Sequence, residues 1–432
     1  MKFISTRDSR EKLSFSEALF RGLAPDGGLY QFENIPKISD FFSSLEKGAP
    51  FRELSVQLLQ RLLENEEDAA AAEDIIGSAF HFSPELKHID KSITVLELFH
   101  GPSCAFKDFG ASFLAAAMDR ILRQRGQKAI ILTATSGDTG SAVAQAFHGR
   151  DAIEVVILYP SGRVSPLQEK QLTTLGGNVT ALEIKGNFDD CQRMAKAAFT
   201  NPGLRHLPLS SANSINLGRL LPQSFYYVWA WSQMRDIEDM AFIVPSGNFG
   251  NLTAGLYAAS WGMPINRFAA AVNANDVVPE YLRTGNYIPK PSIATLSNAM
   301  DVGDPSNFER LNCLYDKNVE IFRRHIEAWS VDDKTTRDVI REVYLKYGYV
   351  LCPHTAVGWK AAELYRARHP GVHTLILSTA HPGKFVETVE EAIGVKPQLP
   401  EALAMLLNKE KSSTILNNTN DALAQFLLER FD

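Results

Sequence analysis

Short β-branched runs alternate with helical segments from Ile93 onward, and glycine or proline stands at the junctions. Ile130-Ile-Leu132 leads into Thr135-Ser-Gly-Asp-Thr-Gly140 and a helical segment, and the run Ile153 to Tyr159 meets Pro160-Ser-Gly162. Because strands that alternate with helices form parallel sheets covered on both faces, we expect an α/β protein. There are too many such units for one domain. The pattern therefore predicts two doubly wound α/β lobes with a cleft between them, which is a usual place for a small-molecule site.

The chain length agrees with this division, since 432 residues leave room for two or three domains. We expect four parts: a mainly helical N-terminal domain over residues 1–90, a large lobe from residues 91–119 and 206–400, a small α/β lobe from residues 120–205, and a C-terminal helical extension over residues 401–432.

Composition excludes several classes of function. The 44 Lys and Arg against 50 Asp and Glu leave a net charge of −6, which implies no broad basic surface for nucleic acid or an anionic membrane. The four cysteines are far apart, so neither a Cys-x-x-Cys motif nor a disulfide scaffold is expected. No His-Glu-x-x-His pattern occurs, and we expect no metal site. No apolar run reaches the ~18 residues of a membrane helix, and the charged start of the chain is not a signal peptide. We therefore expect a soluble, cytoplasmic protein with no obligate protein partner.

The strongest ligand-binding signal is Pro245-Ser-Gly-Asn-Phe-Gly-Asn251, which follows a predicted strand and opens a helix. Gly247 and Gly250 would let the backbone approach a ligand, and the helix start offers unpaired N–H groups and a positive dipole. This combination suits a phosphate group. The pattern matches neither the P-loop nor the dinucleotide fingerprint, and a tight turn capped by asparagine is the alternative.

A second helix start, Thr135 to Gly140, offers hydroxyl and backbone N–H groups to a carboxylate or phosphate. Serine, threonine and aspartate are also the usual helix caps, so capping explains the same residues equally well.

The third segment is His100-Gly-Pro-Ser-Cys-Ala-Phe-Lys-Asp-Phe-Gly-Ala111, in which Lys107 lies between Phe106 and Phe109. Most lysines are solvated surface charges. A desolvated lysine near a helix start has a lowered pKa, which an amine needs in order to form an imine with an aldehyde. A phosphate cup and such an amine together indicate an aldehyde cofactor that carries a phosphate.

Taken in order, these segments resemble the threonine synthases, pyridoxal-phosphate enzymes of the tryptophan-synthase-β-like class (fold type II), in their long microbial and fungal form. The resemblance covers nearly the whole chain. It is carried by Gly22 to Leu29, His100 to Gly110, Thr135 to Gly140, Ser246 to Asn251, Thr295 to Asp301 and Ser378 to Phe385.

The resemblance implies roles for the cofactor site. Lys107 would form the imine (Schiff base) with pyridoxal 5′-phosphate, and Thr379 would hydrogen-bond the pyridine nitrogen through its hydroxyl. A neutral hydroxyl does not enforce a protonated ring, so the ring would be a weaker electron sink than one paired with aspartate. The cofactor phosphate would be held by Gly247, Asn248, Phe249, Gly250 and Asn251.

The resemblance also implies a substrate site. The amino-acid part of the substrate would meet Ser136, Gly137, Asp138 and Thr139. Many relatives have asparagine in place of Asp138, and a carboxylate beside an anionic substrate is unfavourable, so Asp138 would act on the cofactor or the loop instead. The substrate phosphate would be bound by Ser214, Asn216 and Arg219, with Asn213, Arg163, Lys384 and His381 as further candidates. Surface arginines and a helix cap at Asn213 or Ser214 are the alternative.

The reaction implied is the conversion of O-phospho-L-homoserine and water to L-threonine and phosphate, a β,γ-replacement of threonine biosynthesis. A serine or threonine dehydratase is the first alternative, although its lysine segment would read Ser-Phe-Lys-x-Arg-Gly-Ala and this chain has Phe109 at the arginine position. A non-catalytic phosphate-binding relative is the second, and the retention of Lys107 speaks against it.

Overall fold

The computed structural model describes residues 1–64, 66–135, 137–265 and 267–432. Its strands are β1 (Phe3–Ser5), β2 (Tyr30–Phe32), β3 (Glu85–Asp90), β4 (Ile93–Glu97), β5 (Ala129–Ala134), β6 (Ile153–Pro160), β7 (Val179–Lys185), β8 (Leu209–Ser210), β9 (Met240–Pro245), β10 (Phe268–Val272), β11 (Ile326–Ser330), β12 (His373–Ser378) and β13 (Thr414–Asn417).

The helices are α1 (Phe15–Arg21), α2 (Ser39–Ser44), α3 (Phe51–Leu62), α4 (Ala72–Ala79), α5 (Lys107–Arg125), α6 (Asp138–Phe147), α7 (Pro166–Thr173), α8 (Phe188–Thr200), α9 (Leu217–Leu220), α10 (Gln223–Gln233), α11 (Gly250–Trp261), α12 (Val277–Thr284), α13 (Phe308–Leu314), α14 (Val319–His325), α15 (Asp333–Tyr347), α16 (Pro353–Arg368), α17 (Val386–Ile393), α18 (Glu401–Ala404) and α19 (Asn420–Phe431). Short 3₁₀ helices include Pro202–Leu204 and Pro382–Lys384. No helix among the described residues has both the length and the low polarity that crossing a bilayer requires.

The larger sheet has the strand order β11-β10-β9-β12-β4-β3, and its neighbouring strands are parallel except for the pair β3 and β4. All residues of β9, β10 and β12 are buried. Within β9, Phe242 and Val244 pack toward one cluster with α10 and α11, whereas Ala241 and Ile243 pack toward another with α15 and α16. Both faces are therefore covered, which explains a strand with no polar position.

The smaller sheet has the order β13-β7-β6-β5-β8, and all its neighbouring strands are parallel. Alternate residues of β6 again face two clusters, since Val155 and Ile157 lie in one and Val156 and Leu158 in the other. The prediction of two α/β lobes is thus confirmed. We call the parts that carry the larger and the smaller sheet the large and the small lobe.

The C-terminal residues return to the small lobe. Strand β13 pairs in parallel with β7, and Leu423 and Leu427 of α19 pack in the same cluster as Cys191 and Met194 of α8. The segment for which the sequence predicts a helical extension therefore contains an edge strand as well as helix. The division into four parts stays a prediction.

Helix α5 begins at Lys107 and runs through the interior of the protein. Its residues from Asp108 to Asp119 are all buried. Phe109 lies in an aromatic cluster with ring centroids 5.4 Å from Phe51 and 5.0 Å from Phe82, both from the N-terminal region. Because interiors are close-packed, this cluster fixes the position at which α5 begins and thereby the position of Lys107.

Arg310 connects the N-terminal strands to the large lobe. Its side chain is fully buried, and its Nε and Nη2 donate to the Tyr30 carbonyl at 2.9 and 2.8 Å. The same guanidinium donates to the Ile215 carbonyl at 2.7 Å and to Asn307 Oδ1 at 2.6 Å. Asn307 in turn donates to the Asn248 carbonyl at 3.1 Å, so the buried guanidinium is linked to the glycine-rich segment after β9 through one side chain.

We predict that Arg310→Met destabilises the protein, because two buried carbonyls and the Asn307 side chain lose a charged donor. Hydrogen bonds to charged groups contribute about 1.5–3 kcal/mol each, so a loss of at least ~3 kcal/mol in unfolding free energy is expected. Thermal unfolding followed by circular dichroism checks this. The control is Arg341→Met, at an exposed position of α15. Equal unfolding midpoints for the two variants would contradict the prediction.

Candidate active site

The Lys107 segment is fixed to the end of β12 by backbone contacts. The Phe106 N–H donates to the Thr379 carbonyl at 2.9 Å, and the His381 N–H donates to the Cys104 carbonyl at 3.1 Å. Ala105 and Ala380 form a β-bridge between these bonds. Residues that are more than 270 positions apart in sequence thus lie side by side. Lys107 and Thr379, both assigned to the cofactor from the sequence, are brought together.

The surroundings of Lys107 favour its neutral amine. Burial lowers the pKa of Lys107, and the positive charges of Lys384 and Arg219 lower it further, while Asp138 acts in the opposite direction. A lowered pKa increases the fraction of unprotonated amine at neutral pH, which imine formation and proton transfer both require.

The glycine-rich segment after β9 forms a cup of backbone N–H groups, which we call the phosphate cup (residues 246–251). Strand β9 ends at Pro245 and α11 begins at Gly250, with Phe249 at a φ of 59° between them. Asn251 closes the turn, because its amide donates to the Pro245 carbonyl at 2.9 Å and its Oδ1 accepts from the Ser246 hydroxyl at 2.5 Å. The carboxyamide of Asn251 thus shapes the cup.

The backbone N–H groups from Gly247 to Asn251 have no acceptor among the described residues. They lie at the start of a 12-residue helix, where the peptide dipoles give a positive potential. The backbone of Gly247 lies against the backbone of Met300, and a Cβ at position 247 would lie 2.5 Å from the Met300 Cα. This arrangement suits a phosphate dianion bound by backbone groups.

Asn248 links the cup to the predicted substrate residues. Its amide donates to the Ser214 hydroxyl at 3.0 Å, and its Oδ1 accepts from the Ser306 N–H at 2.6 Å. Ser214 therefore lies beside the cup, and its contact with the substrate phosphate stays a prediction. Asn213 lies one residue before it and accepts a hydrogen bond from Thr133 at 2.8 Å.

Asp138 and Lys384 form a buried ion pair between the two lobes. Lys384 Nζ lies 2.7 Å from Asp138 Oδ1, and the two side chains are 0% and 4% exposed. Lys384 also donates to the Ser103 carbonyl at 2.8 Å, and the Gln168 amide donates to Asp138 at 3.0 Å. Asp138 begins α6 of the small lobe, whereas Lys384 ends the 3₁₀ helix after β12 of the large lobe.

The ion pair explains why the buried carboxyl group of Asp138 is ionised. Burial alone would raise the pKa of Asp138, but the charges of Lys384 and Lys107 outweigh burial and hold that pKa below its ordinary range. Asp138 therefore stays ionised and compensates the charge of Lys384. From the sequence the role of Asp138 is open between cofactor, loop and substrate, and the structure places its carboxylate against Lys384.

Arg219 and Asn216 are buried, whereas the alternative interpretation of the sequence places arginines such as Arg219 at the surface. Arg219 is 2% exposed, and its Nη1 donates to the Ala212 carbonyl at 2.6 Å, while its Nε has no acceptor among the described residues. Burial lowers the pKa of Arg219 to about 10, so it remains a cation at neutral pH. The Asn216 amide donates to the carbonyls of Leu19 and Ser211, and its Oδ1 accepts from the Gly218 N–H. These contacts account for Asn216 as a cap of α9, and its contact with substrate stays a prediction.

Of the remaining predicted residues, some lie beside Asp138 at the start of α6 and others lie in separate loops. Gly137 has a φ of 151°, and a Cβ there would lie 2.8 Å from the Gln168 amide, so glycine is required beside Asp138. Thr139 is partly exposed at the start of α6. Arg163 is exposed in the loop before α7, and His381 binds the Gly383 N–H through Nδ1 at 3.0 Å. Ser136 lies outside the described residues.

Three buried groups in this region were missed by the sequence analysis. Gln168 binds Asp138, and Asp108 accepts the Ser103 N–H at 2.9 Å, with its pKa raised by burial to about 6. His354 of α16 also lies here, and burial lowers its pKa to about 4. Asp108 stands in the lysine segment without an assigned role there, and Gln168 and His354 stand in no motif, so only the packed structure reveals them.

A separate cluster outside the cleft contains Glu85, Glu97 and His100, whose ligand atoms lie within 4.8 Å of one another. His100 Nε2 lies 3.0 Å from Glu97, and the Tyr349 hydroxyl donates to Glu97 at 2.6 Å. These hydrogen bonds account for Glu97 and His100, and Glu85 lies 3.8 Å from His100 Nε2 at ion-pair distance. That the protein has no metal site stays a prediction.

The residues of the cleft fit pyridoxal phosphate. The phosphate cup offers free N–H groups, Lys107 offers an amine with a lowered pKa, and the Thr379 hydroxyl makes no hydrogen bond with a described residue. A hydroxyl with both donor and acceptor capacity suits a ring nitrogen in either protonation state.

We predict that Gly247→Ala weakens the binding of pyridoxal phosphate at least about tenfold, because the new methyl group must displace the Met300 backbone and with it the cup. Titration of the cofactor-free protein with pyridoxal phosphate, followed by absorbance, measures this. The control is Gly203→Ala, in the exposed 3₁₀ helix, where the nearest atom to a Cβ lies at 3.3 Å. An unchanged affinity in the Gly247 variant would contradict the cup.

Comparison with known families agrees with this geometry. The family described as "Pyridoxal-phosphate dependent enzyme" matches residues 75–379. "Threonine synthase N terminus" matches residues 2–80, and "Threonine synthase, C-terminal" matches residues 355–427.

Individual relatives agree along the whole chain. The threonine synthase of Haemophilus influenzae is 44% identical over 414 residues, which cover 93% of this chain and 94% of that protein. The crystal structure of PLP-bound threonine synthase from Brucella melitensis has 37% identity and a TM-score of 0.92, and the match covers 99% of both chains. The structure of threonine synthase from Escherichia coli has 40% identity and a TM-score of 0.88, and the match covers 99% of this chain and 100% of that one. This chain belongs to the threonine synthase family of pyridoxal-phosphate-dependent enzymes.

Proposed function

We propose that this chain converts O-phospho-L-homoserine and water into L-threonine and inorganic phosphate. One observation carries the proposal: two buried cations, Lys384 and Arg219, act on Lys107, and the phosphate cup follows β9 at the same edge of the sheet. A lyase acting on an uncharged side chain needs one phosphate site for its cofactor, whereas a substrate that also carries phosphate needs a second positive site. Membership in the threonine synthase family supports the same reaction.

Pyridoxal phosphate, when bound, supplies an electron sink for negative charge developing at the substrate Cα. The chain's own contribution begins with Lys107, whose amine accepts and returns protons at Cα and then at Cβ. Its lowered pKa suits both directions of transfer, because a general base works best with a pKa near the operating pH. The neutral Thr379 hydroxyl orients the ring nitrogen and does not force its protonation.

The substrate anions would be divided between the two lobes. The start of α6 presents the N–H groups of Asp138 and Thr139, which have no acceptor among the described residues and would bind the substrate carboxylate, together with Ser136 and Gly137. The substrate phosphate would lie against Ser214 and Arg219, whose guanidinium presents a planar fork to phosphate oxygens. Lys384 supplies a further positive charge on the large-lobe side.

The cytoplasmic location, and the expectation that neither nucleic acid, membrane nor an obligate protein partner is bound, stay predictions from the sequence.

The activity is tested by supplying the purified enzyme with O-phospho-L-homoserine and, separately, with L-threonine. We expect release of inorganic phosphate from the first and no release of ammonia from the second. Ammonia release without phosphate release would instead support a dehydratase. A cofactor-loaded protein that turns over neither compound would support the non-catalytic alternative.

Lys107→Ala is expected to abolish phosphate release and the visible absorption band of the lysine-bound cofactor, because no other described amine lies at this position. The matched control is Lys128→Ala, an exposed lysine just before β5, which should retain both properties. If the Lys107 variant keeps the band, the assignment of the imine-forming lysine is wrong.

We predict that Asp138→Asn lowers the unfolding free energy by about 3–5 kcal/mol, because Lys384 is left as a buried, uncompensated charge. Inorganic phosphate should restore more stability to this variant than to the wild type, since the anion replaces the missing countercharge. Because the folded-state pKa of Asp138 is lowered, its contribution in the wild type is present above the ordinary carboxyl pKa of about 4 and is lost as the pH falls below it.

A double-mutant cycle with Lys384→Met provides the control for the ion pair. The double variant should be less destabilised than the sum of the two single variants, because it removes both buried charges together. Purely additive unfolding free energies would contradict a coupling between Asp138 and Lys384.

A further inference from the structure

His354 is a buried histidine near Lys107 and Lys384 that has no role in the proposed reaction as described above. It lies in the first turn of α16 and is 2% exposed. The Ala299 N–H donates to its Nε2 at 3.2 Å, and its ring centroid lies 5.0 Å from that of Phe385.

Both neighbours belong to segments that line the cleft. Ala299 precedes Met300, the residue against which Gly247 of the phosphate cup is packed. Phe385 follows Lys384, the cation of the inter-lobe ion pair. His354 therefore contacts the residues that directly adjoin Met300 and Lys384 in the chain.

The next residue fixes the same turn to the end of β12. Thr355 Oγ1 lies 2.9 Å from Ser378 Oγ, and Ser378 directly precedes Thr379. The charges of Asp138, Lys107 and Lys384 also act on the imidazole, as expected for a ring near all three. The turn that carries His354 is thus held beside the predicted cofactor residues from several sides.

The hydrogen bond from Ala299 determines the tautomer. A nitrogen that accepts an N–H carries a lone pair, so a neutral imidazole with an accepting Nε2 has its proton on Nδ1. Burial lowers the pKa of His354 to about 4, and the ring is therefore neutral at physiological pH. Nδ1–H is then a hydrogen-bond donor.

That donor has no acceptor in the part of the chain that the structure describes, although the atom is fully buried. An unsatisfied buried donor destabilises a protein, and such groups are rare unless a ligand or water pairs with them. Another buried histidine, His373, differs in this respect, because its Nε2 lies 2.9 Å from the Thr94 hydroxyl. Packing alone therefore does not account for the imidazole at position 354.

We propose that His354 is a positioning residue whose Nδ1–H donates a hydrogen bond to an oxygen that the bound cofactor or the substrate carries into the cleft. In either case the acceptor is an oxygen with negative charge, and the neutral imidazole orients it without adding a charge. If the acceptor oxygen belongs to the cofactor, the proposal requires only that pyridoxal phosphate binds. If it belongs to the substrate, the proposal rests on the proposed function.

Two substitutions at position 354 separate donation from packing. His354→Leu keeps an apolar side chain of similar size without a donor, whereas His354→Asn keeps an amide N–H at the place of Nδ1. The control is His373→Leu, which removes a buried imidazole outside the cleft. Circular dichroism and thermal unfolding of the cofactor-free proteins establish that each variant folds.

If the acceptor belongs to the cofactor, His354→Leu should raise the dissociation constant for pyridoxal phosphate about tenfold and shift the absorption maximum of the bound cofactor. His354→Asn should recover most of the affinity, and His373→Leu should not change it. If the acceptor belongs to the substrate, cofactor affinity should stay constant, and KM for phosphohomoserine should rise about tenfold in the leucine variant and recover in the asparagine variant.

The proposal is overturned if the leucine and asparagine variants behave alike in both measurements, or if neither variant changes cofactor affinity or KM. Failure of the proposed function is distinguishable, since a protein that binds pyridoxal phosphate but does not turn over phosphohomoserine still gives the cofactor result.

The tautomer of His354 can also be read in the wild-type protein, with the His354→Asn variant used only to assign the resonances. In the ¹⁵N spectrum of histidine-labelled, cofactor-free protein, the resonances absent from the His354→Asn spectrum should show protonated Nδ1 and unprotonated Nε2. Addition of pyridoxal phosphate or of substrate should move the Nδ1 resonance. Protonation on Nε2, or an Nδ1 resonance that neither compound moves, would overturn the proposal.

Discussion

The alignment of the Cys104–Phe106 segment with the Thr379–His381 segment is the contact on which the site depends. Backbone hydrogen bonds from Phe106 to Thr379 and from His381 to Cys104 fix the start of α5 against the end of β12. Since parallel strands end at one edge of a sheet, the end of β9 lies at the same edge, and with it the phosphate cup. Backbone geometry thus brings together an amine, a hydroxyl and a phosphate site from distant parts of the chain.

Charge is distributed very unevenly in this protein. The chain carries a net charge of −6, yet its cleft contains the buried cations Lys384 and Arg219 beside Lys107. Burying charge is unfavourable unless a partner compensates it, and Asp138 supplies that partner for Lys384. Anionic groups of the cofactor and the substrate would compensate the remaining positive charge. The buried cations should therefore be most stable when these ligands are bound.

Asp138 and His354 have related electrostatic roles near Lys107 and Lys384. Asp138 stabilises cations that act on anionic ligands, and it also ties the small lobe to the large one through Lys384. His354 offers an uncharged donor where a further cation would leave more buried charge uncompensated. Both residues act through position and electrostatics, which depend on long-range contacts that the sequence motifs do not reveal.

The sequence by itself determined the two parallel-sheet lobes, the cofactor and the family, because alternating apolar strands, glycine-rich helix starts and the lysine segment are local patterns. It also located Lys107 and the residues of the phosphate cup in the chain. Only the tertiary structure decided that Asp138 pairs with Lys384, that Asn216 caps a helix, that β13 completes the small sheet, and that His354 presents a buried N–H. Each of these depends on contacts between residues far apart in sequence, and the burial that sets their charge and pKa exists only once the lobes have packed.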